Sequence, residues 1–81
     1  MTFAAFKALH QRRQLAHVAA HGQRLAARQE DSFDLTLYAV ADFYAETWQS
    51  RGEEAVLFVH VFRRPAELSD YLAQVQLPHG L

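Results

Sequence analysis

Cysteine is absent from the chain, which excludes disulfide scaffolds, thiolate zinc sites and thiol nucleophiles and fits a reducing compartment. Glycine occurs three times, at Gly22, Gly52 and Gly80, too scattered for a phosphate-cradling loop. No apolar run approaches the roughly 20 residues of a membrane-spanning helix. The start, Met1 to Lys7, lacks the charged head and long apolar stretch of a secretory signal, so the expected location is the cytoplasm. Ser32, Ser50 and Ser69 sit in no nucleophile context.

Acid is missing from residues 1–29, which hold Lys7, Arg12, Arg13, Arg24 and Arg28 and carry +5. Residues 30–81 hold three arginines against nine acids and carry −6. The net charge of −1 therefore conceals a basic N-terminal part joined to an acidic body.

Against these absences stands a large apolar content. Hydrophobic residues make up 51% of the 81 positions and aromatics 12%. That is too apolar for a disordered chain, and the length suits one domain. It is also rich for so small a monomer, which buries only about 60% of its unfolded surface. A partner covering some of it is the expectation.

The expected fold is α+β: a short N-terminal segment (1–9), a long amphipathic helix (10–29), a three-stranded antiparallel meander and a short C-terminal helix. On a helical wheel, Ala8, Gln11, Leu15, Val18, Ala19, Gly22, Leu25 and Ala26 share one face, and Arg13, His17, Arg24 and Arg28 the opposite one. Gly22 lies within the apolar stripe, which points to a close backbone contact there. Phe3, Phe6 and Leu9 miss the stripe, so a break is expected near Leu9-His10. Apolar alternation and strand-forming residues give strands over 33–40, 43–49 and 55–62, with a hairpin turn at Ser50-Arg51-Gly52-Glu53. Phe33, Leu37, Ala41, Tyr44 and Trp48 also fit helical spacing, an alternative for 33–48. Pro65, Glu67, Leu68, Leu72 and Val75 mark a helix over 65–76.

Ala41-Asp42 has no glycine and is a weak turn signal. A three-residue loop there puts Phe33, Leu35, Leu37, Phe43 and Ala45 on one face of the sheet, and Thr36, Tyr38, Tyr44, Glu46 and Trp48 on the other. The third strand is apolar on both faces. Val56, Phe58, His60 and Phe62 alternate with Leu57, Val59 and Val61. In a meander that strand is also an edge, which proteins normally cover. A homodimer is thus expected, with Tyr38, Tyr44, Trp48, Leu57, Val59 and Val61 at the interface. The alternative is that the Phe3/Phe6 segment or the C-terminal tail covers the strand.

Three constellations carry chemistry in principle. His17 and His21 have the i, i+4 spacing of two zinc ligands, but no acid nearby offers a third and arginines flank them, so no metal and no cofactor is expected. The stripe of Arg13, His17, Arg24 and Arg28 is a candidate phosphate-binding face. The acidic body and the lack of a nucleic-acid motif weigh against it. His60, between Phe58 and Phe62, is placed to pair with Glu46 or Tyr44 as an acid–base or ligand site. The leading expectation is a non-enzymatic homodimeric interaction domain. Nucleic-acid association through the basic helix face comes second, and an enzyme or ligand binder around His60 and Glu46 third.

Leu37-Tyr38, Phe43-Tyr44, Glu46 and Trp48, with His21-Gly22 before them and Phe62-Arg63-Arg64 and Leu68 to Leu72 after them, carry a resemblance. Over roughly residues 20–77 the chain resembles a group of short uncharacterised bacterial proteins with the pattern Leu-Tyr-x4-Phe-Tyr-x-Glu-x-Trp. The resemblance implies strands over 33–49, followed by a strand and a C-terminal helix. It implies no activity.

Overall fold

In the computed structural model, which describes residues 1–63, two short helices pack on one face of a four-stranded antiparallel sheet. Helix α1 spans Phe3–Lys7 and α2 spans Gln11–His21. The strands are β1 (Gln23–Glu30), β2 (Phe33–Val40), β3 (Phe43–Ser50) and β4 (Val56–Phe62). They lie in the order of the sequence, so every ladder is a hairpin. The helix expected over 65–76 lies outside the described residues. Among those described, no helix is long and apolar enough to cross a membrane.

The chain breaks between α1 and α2, where the apolar stripe changes phase. Thr2 caps α1 by accepting the Ala5 N–H at 3.1 Å. Phe3 and Phe6 give α1 a face of its own, and Leu9, just after the helix, packs against the same core. The buried Gln14 amide donates to the Phe6 carbonyl at 3.1 Å and ties the two helices together.

The long helix is not formed. It stops at Gly22, whose backbone is extended (φ −79°, ψ 149°), and residues 23–30 become β1. A Cβ at Gly22 would stand 2.7 Å from the Val18 carbonyl oxygen and 3.1 Å from its Cγ1. The close contact expected at this glycine is therefore present, but at the helix end rather than between packed elements. Gln, Arg, Leu and Ala dominate 23–29 and all favour helix. Pairing with β2 along the whole strand overrides that preference.

The loop joining β2 and β3 has two residues, not three. Val40 pairs with Phe43, leaving only Ala41-Asp42 between them, and Ala41 adopts φ 52°. The β1–β2 loop, Asp31-Ser32, is built alike, with Asp31 at φ 54°. Tight hairpins use positive φ because its twist matches that of the strands. The shorter loop reverses the expected sharing of faces. Leu35 and Leu37 now lie opposite Trp48 and Glu46, while Tyr38 and Val40 lie opposite Ala45 and Phe43.

The core sits between helices and sheet. Phe6, Val18, Val40, Phe43 and Ala45 are buried there, with Phe3, Leu9, Tyr38, Val59 and Val61 against them. The Phe6 and Phe43 rings lie 5.2 Å apart. Leu37 and Phe62 form a smaller buried cluster with Ala26 and Tyr44. The second face carries Ala26, Arg28 and Glu30 from β1, Leu35 and Leu37 from β2, Tyr44, Glu46 and Trp48 from β3, and Phe58, His60 and Phe62 from β4, as the register dictates.

Candidate functional site

The second face concentrates the chemistry of the molecule. Tyr44, Glu46 and Trp48 alternate along β3, and each faces a residue of β4: Phe62, His60 and Phe58 respectively. The outer two pairs are aromatic stacks. Trp48 and Phe58 lie 4.9 Å apart at 22°, and Tyr44 and Phe62 lie 5.5 Å apart at 25°. The polar pair Glu46–His60 is held between them. His60 is exposed and its ring also stacks on Phe62 at 5.3 Å.

Arg28 reaches this pair from β1. Its Nη2 lies 3.4 Å from Glu46 Oε2, and its Nη1 bonds Glu30 Oε2. The Trp48 indole N–H donates to Glu46 Oε1 at 2.7 Å. The Arg28 and Glu46 side chains are only 7% and 5% exposed. A carboxylate so far from water needs charge-assisted partners, since burying it without them costs several kcal/mol or more. Arg28 and Trp48 meet that need. Around the network runs a cleft of about 400 Å³ lined by Arg28, Glu30, Glu46, Trp48, Phe58, His60 and Phe62.

A β-bulge explains how Arg28 gets there. The β1–β2 register shifts between Arg24 and Ala26. In a regular strand, residues four apart share a face. Leu25 is the extra residue, so Arg24 lies opposite Tyr38 on the helix side while Arg28 lies opposite Leu35 on the second face. The expected basic helix face is thereby dispersed. Arg13 and His17 are on α2, Arg24 and Arg28 are on opposite sides of a strand, and Arg28 is neutralised by two carboxylates.

The residues expected at a dimer interface are also divided. Tyr38, Val59 and Val61 pack against the helix-side core. Tyr44 and Trp48 belong to the second face. Leu57 is 48% exposed and so is 45% of Phe58, which the sequence reading had not placed at a surface. The expected proximity of His60 to Glu46 is realised as direct cross-strand pairing. Arg28 was expected on a basic helix face rather than beside Glu46, because residues 23–29 read as helix. Residues 26–30, Ala-Ala-Arg-Gln-Glu, carry no apolar–polar alternation, so the local pattern held no signal for it.

His17 and His21 share one side of α2, with ring centroids 4.7 Å apart, and His17 also sets its ring edge-on to Phe6 at 5.8 Å. Burial holds His17 below the ordinary imidazole value of 6.5, and His21 and the N-terminal amine push the same way. Arg13 lines the same depression. Among the described residues, no group of three metal-ligating side chains converges here or elsewhere.

Comparison with known proteins leaves the geometry as the guide to function: no family model, no curated protein and no solved structure matches the chain.

Proposed function

We propose that the domain is a non-enzymatic self-association module in which two copies pair through β4. The observation that carries the reading is the character of this strand. Among the described residues β4 is the last strand of the sheet, and it carries neither lysine nor proline, the usual guards against strand pairing. It is apolar along its length, and Leu57 and Phe58, adjacent where the β3–β4 register shifts, are each nearly half exposed. The helices cover part of one face: Val59 and Val61 pack on the core, and the Gln11 amide donates to the Val56 carbonyl at 2.9 Å. Edge pairing about a two-fold axis would join two sheets and bring the same apolar residues of each copy together.

Nucleic-acid binding is the weaker reading, because it needs Arg24 and Arg28 on one helical face and both are on β1.

The test is the mass in solution. Sedimentation at micromolar concentration is expected to give about twice the chain mass of 9.3 kDa. Leu57→Lys places a charge on the edge without entering the core and is expected to yield the monomer with an unchanged far-ultraviolet spectrum. A wild-type monomer across the micromolar range, or a dimer indifferent to charge at Leu57, overturns the reading.

A further inference from the structure

We propose that the depression on α2 beside His17 and His21 binds a small phosphate monoester. Arg13, His17 and His21 line it, with Leu9, Ala16 and Ala20 around them, in a volume of about 400 Å³. That is the size of a small-molecule site. Arg13, His17 and His21 follow one another at four-residue intervals, so they form one row along the helix. This row is what the dispersal of the longer basic stripe leaves intact.

The imidazoles supply the donors. Their ring centroids lie 4.7 Å apart, and an imidazole carries at least one ring N–H in either tautomer. One phosphate can therefore accept from both. His17 is held by its edge-on contact with Phe6, so part of its ordering precedes the ligand. Arg13, one turn earlier and exposed, supplies a permanent charge. Among the described residues no ion pair engages Arg13, His17 or His21, and residues 1–29 contain no acid. A cation meets the like charge of Arg13, and a dianion meets attraction. Leu9, Ala16 and Ala20 give the stem of the ester an apolar seat.

Binding is coupled to protonation. His21 and Arg13 on α2 and the Met1 amine surround His17, and α1 turns the Phe6 ring to it. Lys7 of α1 and Arg63 after β4 lie over the Phe3 ring instead. On the helix side the sheet carries Arg24, Tyr38 and Asp34, the last paired with Arg51 at 3.6 Å. A bound dianion favours the charged imidazole, so each ring keeps its proton to a higher pH.

The experiment follows the His17 and His21 ring protons of the full chain by NMR as phenyl phosphate is added, with inorganic phosphate and phenol as controls. Phenyl phosphate is expected to give a saturable shift with a dissociation constant of about 1 mM or tighter. Each control should bind at least about threefold more weakly, because it lacks the stem or the charge. Saturation should raise the pH midpoint of both ring signals by about 0.5. Arg13→Gln and His21→Gln change exposed residues and are expected to weaken phenyl phosphate by about threefold or more, with an unchanged far-ultraviolet spectrum. No saturable shift up to about 10 mM, equal affinity for either control, unmoved midpoints, or wild-type affinity in Arg13→Gln would each overturn the proposal.

Discussion

Trp48 donates its indole N–H to the carboxylate of Glu46, two residues earlier on the same face of β3, at 2.7 Å. The bond joins the largest aromatic of the second face to its buried charge. Replacing Trp48 with Phe keeps a ring for Phe58 to stack on and removes the donor. A lost hydrogen bond to a buried charged group costs about 1.5–3 kcal/mol. Urea unfolding of Trp48→Phe, followed by far-ultraviolet circular dichroism, should show a loss of that size. A loss below about 0.5 kcal/mol would mean that Glu46 does not depend on the indole.

Gly22 closes α2 in a space that admits no side chain. A Cβ at 2.7 Å from the Val18 carbonyl oxygen has to push backbone aside, and overpacking of this kind costs about 1–3 kcal/mol. Gly22→Ala is thus expected to lower the unfolding free energy by that amount, although Ala is the better helix former. If Ala instead stabilises the domain, the helix continues past residue 22 and β1 is misassigned.

Ala41 holds a left-handed backbone, φ 52°, with an ordinary Cβ. That conformation costs an L-residue about 1–2 kcal/mol, against the roughly 0.5–1 kcal/mol of chain entropy a glycine adds. Ala41→Gly should therefore stabilise the hairpin by about 0.5–1 kcal/mol, read as a shift of the denaturation midpoint. Asp31→Gly should gain less, since a short polar side chain tolerates this region.

His17 gives the fold a pH dependence of known sign. Its folded value lies below the ordinary 6.5, with burial the first cause and His21 and the N-terminal amine the next. The unfolded chain therefore binds the proton more tightly. The stability His17 contributes is fully present above pH 6.5 and is lost as the pH falls through the folded value. Urea midpoints taken at pH 8 and pH 5 should differ more in the wild type than in His17→Gln. Equal differences would remove His17 from the balance.

The parts of this fold that were legible in the sequence are those where pattern and propensity agree. Phe33 to Val40 and Val56 to Phe62 are rich in strand formers and are strands. Phe3 and Phe6 missed the main stripe because they belong to a separate helix, and Leu9 because it lies in the connection between the two helices. Residues 23–29 were illegible for a physical reason. Each prefers helix, and only partnership with β2, a non-local contact, makes them a strand. Their bulge then splits Arg24 from Arg28, which no periodicity could show. The faces of β2 and β3 were misassigned because a loop without glycine hid a two-residue turn. One residue of loop length exchanges every partner. Of the candidate site, Glu46, His60 and Trp48 were visible as residues of interest. Arg28, which completes their network, was singled out only for a basic helix face, not for this site.

The sequential order of the strands has a consequence for how the chain reaches this state. Each ladder joins segments that are neighbours along the sequence, and two of the connections are only two residues long. Closing such loops costs little entropy, and low contact order goes with rapid folding. The sheet can grow outward from the central β2–β3 hairpin, adding β1 and β4 in either order. Substitutions in the central turn would then govern the folding rate, and those in the outer strands chiefly the rate of unfolding.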